Sequence, residues 1–431
     1  MADSDISEPS QGFLRRLVML ERGEGPAVAW AFAYSFFVVL SFYLLRPIRE
    51  AFGIARGADS LPLLMTGTLA VMLLANPAFA ALVSRLPRRR FIPLAHRFFA
   101  LNLMAFFALF RWLPAHATGL GYAFFIWLSV FNLFVVSLFW GFMSDLFREE
   151  QGKRLFSFLA IGGTLGAIAG AALTGALVGG FRLGGHTMSV APAFILLLSA
   201  AALEAAARCM GALAVRFRLG DTAGAAREPG PGALEGLKAL AKSPYLQMIC
   251  GYMLLYTLTS TLLYLAQGAI VARTFTGSAR TVAFARIDFW VNVLTLASQL
   301  FLTSRLLTRF GVGVILCALP VLTALGFGAL ALWPVFGTLM AFQVLRRGLH
   351  YGVDRPAREV LYIPLSADER YKSKPFIDTF VYRFGDLLGA WLPALLAAVA
   401  IPVFAASLGA SLGWLGAGLG LRRLRKRMGF S

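Results

Sequence analysis

The chain has 431 residues, 58% hydrophobic and 14% charged, with a mean hydropathy of +0.73. So large an apolar excess excludes a water-soluble globular domain and indicates a chain that crosses a membrane many times. The formal net charge of +19 would suggest nucleic acid in a soluble protein, but about 31 of the Lys and Arg fall in the termini and even-numbered loops against about 7 in the odd loops, so the basicity reports topology.

Residues 1–25 are polar and lack the basic start, short apolar stretch and small-residue site of a cleavable signal. They read as a cytoplasmic N-terminal segment. The first span, Pro26 to Leu45, is long enough to cross a bilayer and runs directly into Arg46-Pro47-Ile48-Arg49-Glu50. Arg46 and Arg49 are three apart and share a helical face. Pro47 disfavours helix at Arg46 and is expected to break the ladder there. Two readings stand for this patch: a basic cap that snorkels to lipid headgroups, or an anion site at the mouth of a pore.

Further spans follow at about Leu61–Val83, Phe91–Phe110, Tyr122–Leu146, Leu155–Val178 and Val190–Ala207. In the fifth, Gly162, Gly166 and Gly170 recur every four residues, a stripe that lets another helix approach closely. A phosphate-binding glycine loop is not indicated, because Gly152-Lys153 lacks the upstream glycine of that motif. Residues 216–243, with Glu228-Pro229-Gly230-Pro231-Gly232, read as a cytoplasmic linker, and Leu234 to Leu240 as a short surface helix. Six more spans are expected: about Tyr245–Val271, Thr281–Leu306, Val312–Leu332, Val335–Leu345, Ile377–Val399 and Phe404–Leu421, then a basic cytoplasmic tail over 422–431. The apolar run of span 10 is short for a crossing. The fold class is therefore an all-α polytopic membrane protein of about twelve transmembrane helices. Its two six-helix halves, 26–215 and 244–421, have the layout of the major facilitator superfamily. In such folds the substrate site lies near the midplane between halves.

Charges deep inside spans are costly and tend to be functional. Arg286 and Asp288 lie in span 8; Asp378, Arg383 and Asp386 lie in span 11. Arg286 and Asp288 are two apart, so at least one should face a cavity or a polar partner. Asp378 and Asp386, about two turns apart, fall near one face. Arg383 and Asp386, spaced i to i+3, either neutralise one another as a structural pair or contribute to a site. Arginine forks suit phosphate oxygens, and Tyr43, Tyr382, Trp127, Trp140 and Trp290 are candidates to stack a planar base. The four histidines are scattered, no GxSxG occurs, and no spaced ligand set appears, so neither an enzyme, a metal nor a cofactor is expected.

Several segments together resemble the ATP:ADP antiporters (nucleotide translocases), in particular the bacterial NTP/NDP exchange branch of the major facilitator superfamily. They are Leu45-Arg46-Pro47-Ile48-Arg49-Glu50, Val135-Val136-Ser137-Leu138-Phe139-Trp140-Gly141-Phe142 and Lys153-Arg154-Leu155-Phe156. The second half adds Tyr362-Ile363-Pro364-Leu365, Lys372-Ser373-Lys374, Ile377-Asp378, Gly385 and Gly389-Ala390. The resemblance aligns Arg49 with a basic position of that family. It also shows departures: Asp386 stands where family members have a lysine, and Asn132 and Gln267 stand near their acidic positions in helices 4 and 7.

The resemblance implies alternating-access transport of an anionic solute, a nucleotide such as ATP or ADP or another phosphorylated compound. Arg46, Arg49, Glu50, Arg286, Asp288, Asp378, Arg383 and Asp386 would form the substrate site, with Asp378 and Asp386 pairing with the arginines when it is empty. Lys153, Arg154, Lys372 and Lys374 would be gate or vestibule residues. The expected partners are a small-molecule substrate and the lipid bilayer, not nucleic acid, in a monomer or weak oligomer of the inner (plasma) membrane with both termini cytoplasmic. A carrier of another solute, proton-coupled through Asp378 or Asp386, is the alternative within transport. A non-transporting membrane assembly protein is the alternative outside it; there, the buried charges would all pair locally and line no cavity.

Overall fold

A computed structural model describes residues 21, 24–85, 88–147, 149–183, 186–216, 240, 243–366, 369, 373–374, 376–400 and 402–429. The expected linker, its surface helix and Lys372 lie outside the described residues, as does the Lys153 side chain. The first half comprises α1 (Gly25–Gly53), α2 (Leu61–Arg85), α3 (Arg88–Trp112), α4 (Ala117–Leu146), α5 (Glu149–Gly179) and α6 (Pro192–Arg216). A two-stranded hairpin, β1 (Phe181–Leu183) and β2 (His186–Met188), joins α5 to α6 and was not expected. The second half comprises α7 (Pro244–Thr274), α8 (Ser278–Ala297, continuing to Phe310), α9 (Val312–Leu332), α10 (Phe336–Leu349, continuing to Glu359), α11 (Ile377–Ala398) and α12 (Val403–Arg427). Among the described residues ten helices are long and apolar enough to cross a membrane. The remaining two rods are α8, which carries the span charges, and α10, whose first segment has 14 residues.

α8, α10 and α11 each contain a π-helical turn, at Ser298–Leu302, His350–Asp354 and Ile377–Val381. The π turn of α10 explains the short tenth span: the rod continues through it into Arg355–Glu359. The first two π turns touch, with Thr303 Oγ1 donating to Gly352 O at 2.6 Å. Two expectations are corrected. α1 runs unbroken through Pro47 to Gly53, so Arg46 and Arg49 lie inside a helix rather than past its end. The last helix reaches Arg427, so most of the basic tail is helical, and buried Arg425 donates to Val360 O at 3.2 Å.

The glycine stripe of α5 packs on α1. A Cβ at Gly162 would stand 2.9 Å from Phe32 O, at Gly166 2.3 Å from Phe36 O, and at Gly170 3.0 Å from Leu40 O. No side chain fits between the two backbones, and the close approach maximises dispersion where hydrophobic drive is absent. Thr174 Oγ1 and Ser199 Oγ add hydrogen bonds to Leu44 O and Ser41 O, both at 2.9 Å. α1 is therefore clamped between α5 and α6.

Each half has its own apolar core, one around Tyr34, Phe124 and Phe131, the other around Tyr252, Leu316 and Trp414. A third cluster joins the halves: Ile54, Leu61 and Phe125 pack with Leu262, Leu263, Val271 and Phe284. It lies at the end that carries the C-terminus of α1. Gly268 abuts Leu61 and Ile54 there, Gly175 meets Ala285, and Arg280 donates to Ile54 O at 3.0 Å. That end is closed. Toward the N-terminus of α1 a broad cleft between the halves is lined by Val39, Tyr43, Trp140 and Gly163 from one and Asn292, Tyr351 and Glu359 from the other.

Candidate substrate cavity

Between the halves, beneath the closed end, lies a cavity of about 350 Å³. α1 contributes Phe42, Arg46, Arg49 and Glu50; α2 Met65, Thr68 and Met72; α4 Ser129 and Asn132. α7 contributes Tyr256, Ser260, Thr261, Tyr264 and Gln267, and α10 Gln343, Arg346 and Arg347, with Tyr351 just beyond. α11 contributes Tyr382, Arg383 and Asp386. Because α1 is locked to α5 and α6, its two guanidiniums have a fixed platform.

Arg46 Nη1 donates to Asp288 Oδ1 at 2.7 Å, and Arg347 Nη1 approaches the same oxygen at 3.0 Å. Asp288 is 3% exposed, so one buried carboxylate from α8 joins a first-half and a second-half arginine. Arg49 lies flat over the Phe125 ring at 3.8 Å and donates to Phe125 O at 3.1 Å, Ser129 Oγ at 2.9 Å and Glu50 Oε1 at 2.8 Å. Glu50 in turn accepts from Tyr264 Oη of α7 at 2.5 Å, a second polar bridge between halves. Arg346 is 3% exposed and is held by neutral acceptors alone among the described residues. Nε meets Thr323 Oγ1, Nη1 meets Ser260 Oγ and Nη2 meets Thr259 Oγ1, each at 3.0 Å. Its guanidinium also faces the Tyr256 ring at 5.5 Å. Asp386 accepts from Thr261 Oγ1 at 3.0 Å and sits 3.7 Å from Arg383.

Of the residues singled out in the sequence, the cavity brings together Arg46, Arg49, Glu50, Arg383 and Asp386, with Asp288 directly behind. Arg286 is corrected: it is exposed and does not line the cavity, because α8 turns Asp288 inward and a neighbour two residues away points elsewhere. Asp378 is corrected too. Eight residues place it on the Asp386 side of α11 but about 12 Å along the axis, so it lines a second cavity of about 340 Å³ with Tyr252, Arg358 and Tyr362. The carboxylates that partner the α1 arginines are Asp288 and Glu50, not Asp378 and Asp386.

Among the aromatics, Tyr382 lines the cavity, whereas Tyr43 and Trp140 line the cleft. Trp127 stacks within the first-half core against Phe124 and Phe131, and Trp290 is 48% exposed. Of the gate residues, Arg154 pairs with Glu21 at 2.9 Å and Glu24 at 3.1 Å, fixing the start of α5 to the start of α1. Lys374 pairs with Glu359 at 2.5 Å, a cleft residue.

Sequence reasoning missed Tyr256, Tyr264, Arg346, Arg347 and Tyr351. Tyr256 and Tyr264 are eight apart on α7 and Arg347 and Tyr351 four apart on α10, a polar-aromatic stripe that could have been read as a cavity face. Asn132 and Gln267, marked by the resemblance alone, do line the cavity.

No family model matches the chain. It is 23% identical over 298 residues to ADP,ATP carrier protein 1 of Chlamydia muridarum (strain MoPn / Nigg), covering 61% of this chain and 56% of that protein. It is 22% identical over 286 residues to ADP,ATP carrier protein 1 of Chlamydia trachomatis serovar D, covering 58% and 53%. The chain thus spans about half the length of these relatives. Among solved structures, a mutant of the nucleoside transporter NupG superposes with a TM-score of 0.58 at 15% identity, over 91% of this chain and 99% of that one. A bacterial homologue of the human lysosomal transporter Spinster, inward-facing and unoccupied, gives 0.54 at 13%, over 93% and 95%. A bacterial metal transporter gives 0.55 at 14%, over 96% and 100%. The chain is thus similar in sequence to ADP,ATP carriers and has the fold of these solved transporters. The likeness extends over nearly the whole helical fold, and the chain is a multi-pass membrane protein.

Proposed function

We propose that the protein carries an anionic phosphorylated solute, a nucleotide or a related phosphate ester, across the inner membrane by alternating access, and that both termini are cytoplasmic. The observation that carries this reading is the convergence of Arg46 and Arg347, from opposite halves, on one oxygen of Asp288. A phosphate can replace that carboxylate between the two guanidiniums, since both present oxygen acceptors to the same forks. With the substrate absent, Asp288 and Glu50 keep buried guanidiniums compensated. With it bound, the inter-half ion pairs exchange partners, and a closed end that must open loses part of its polar latch. The relatives are named as ADP,ATP carriers, and the arginine-rich cavity suits a phosphorylated anion. The basic loops favour a cytoplasmic N-terminus, which makes the open cleft inward-facing.

The second reading, a proton-coupled carrier, is favoured by one observation: Asp386 lines the cavity with its nearest guanidinium at 3.7 Å. Membrane assembly without transport fits less well, because the buried charges line a cavity open to a cleft. The test is uptake of labelled ADP, ATP and inorganic phosphate into proteoliposomes, with and without unlabelled anion inside. Uptake that requires internal anion supports exchange. Uptake driven by a pH gradient with an empty lumen supports proton coupling, and failure of these three anions and of phosphate monoesters alike to enter or bind sinks the phosphate-based account.

A further inference from the structure

We infer that the cargo is a phosphomonoester dianion with a neutral, hydrogen-bonding body, rather than a nucleoside di- or triphosphate. The inference rests on the transport reading above and deepens it. The cavity and its immediate backing hold five guanidiniums and three carboxylates. Buried charge is tolerated only when compensated, and this imbalance of two positive charges matches a dianion. A triphosphate would leave the cavity with an excess of negative charge.

The source of the imbalance can be located. Arg46 and Arg347 share one carboxylate, and among the described residues Arg346 meets neutral acceptors only. The unmatched charge therefore sits on the α10 pair, Arg346 and Arg347, and Arg347 Nη2 is buried with no hydrogen-bond partner among the described residues. A buried donor left unpaired is costly, so this atom marks where a phosphate oxygen completes the site. Among the described residues two more polar atoms of the same cavity have no partner: Gln267 Oε1, on a residue 4% exposed, and Thr68 Oγ1, on a residue 8% exposed. Gln267 adjoins Gly268, which touches Leu61 and Ile54 at the closed end. These are neutral groups that ask for a neutral partner. The geometry points to a cargo held by its phosphate at α10 and by hydroxyl or ring N–H groups toward the closed end. Nucleoside monophosphates and sugar phosphates meet both conditions; inorganic phosphate meets only the first.

The experiment is competition and uptake in proteoliposomes with AMP, glucose 6-phosphate, ADP, ATP, inorganic phosphate and adenosine 5′-sulfate. The sulfate ester has the same body and three terminal oxygens but only one charge. At least one of the two monoesters should outperform ADP and ATP at least roughly tenfold, and the sulfate ester should compete roughly tenfold or more below AMP. Arg383→Gln, at the more exposed edge of the cavity, lowers the positive charge by one. It should narrow the gap between AMP and the sulfate ester, an effect that a merely structural role would not produce. Gln267→Leu should weaken AMP and leave inorganic phosphate unchanged. ADP or ATP transported best, or a sulfate ester equal to AMP, overturns the dianion inference and leaves phosphate-ester transport standing. No member of the panel bound or transported by protein that melts cooperatively overturns both.

Discussion

Arg46 of α1 donates to Asp288 of α8 at 2.7 Å, and this contact crosses the boundary between the two halves of the molecule. Residues 242 apart in sequence thus form a latch inside a low-dielectric interior, where charge–charge terms are strong and an unpaired partner is costly. Asp288→Asn keeps the shape and removes the charge. The variant should melt lower than wild type, and inorganic phosphate should raise its melting temperature more than it raises that of wild type, because two guanidiniums then lack their carboxylate. Equal phosphate shifts in both proteins would show that the anion does not visit this position.

Arg49 makes its hydrogen bonds to groups from two helices and lies on an aromatic face. Arg49→Ala should weaken apparent substrate affinity by roughly 10- to 150-fold, the equivalent of one charge-assisted hydrogen bond of about 1.5–3 kcal/mol. Arg49→Lys should be intermediate, since the charge stays and the fork is lost. A silent Lys variant together with a nearly silent Ala variant would restore the headgroup-snorkelling account. Affinity is read by competition against labelled substrate in detergent.

Glycine 166 has no room for a methyl group against Phe36 O, whereas Gly328 on α9 has nothing within 4 Å of its absent Cβ. Gly166→Ala should therefore cost about 1–3 kcal/mol through forced separation of α1 and α5. Gly328→Ala should be neutral or gain a few tenths of a kcal/mol up to about 1 kcal/mol from helix propensity. Thermal melting of the two purified variants compares them directly. Equal melting temperatures would mean that the α1–α5 seam adapts without cost.

Glu24 lies just before α1 and accepts from Glu21 N at 3.0 Å, Gln151 Nε2 at 2.8 Å and Arg154 Nη2 at 3.1 Å. Burial pulls its pKa up, but these donors and the Arg154 charge outweigh burial and hold it below the ordinary value. A carboxylate depressed in the folded state stabilises above its unfolded pKa, about 4.3, and that contribution is lost as the pH falls through the lower folded value. Wild type should therefore lose an advantage over Glu24→Gln as the pH is lowered from 6 toward 3.5. Parallel pH–melting curves for the two proteins would remove Glu24 from the account of the α1–α5 junction.

The closed end predicts chemical accessibility. Cysteines placed at Val282 or Gly179, which meet across it, should react slowly with a membrane-impermeant maleimide, and cysteines at Ser157 or Thr164 in the cleft should react quickly. Substrate should reverse the order if the cavity alternates. Reactivity indifferent to substrate at all four positions would argue against a moving boundary.

Much of this architecture was legible in the amino-acid order because the bilayer restricts what a chain can do. Apolar length gave the rods, and a glycine every fourth residue gave a close helix–helix seam on α5. The α1 arginines stood out for the same reason, as charges where hydrocarbon surrounds the chain. What was hidden is which side of a charged helix faces the cavity. Arg286 and Asp288 are equally anomalous in sequence, yet only Asp288 is turned inward. Asp378 was misplaced because helical phase gives direction and says nothing about which of two stacked cavities a side chain meets. Arg346 and Arg347 were passed over because the apolar run of α10 ends at Leu345, before its helix does.

Each π-helical turn holds one residue more than regular α-helix needs. All three found among the described residues fall in the second half, in α8, α10 and α11, whereas their positional counterparts α2, α4 and α5 are continuous. A gapless comparison of the two halves therefore falls out of step by one residue at each turn, even where the rods occupy matching places. Any kinship between the halves has to be sought with single-residue insertions allowed at Ser298–Leu302, His350–Asp354 and Ile377–Val381. An alignment with a carrier lacking these turns would assign a correct helix and a wrong side chain beyond each of them.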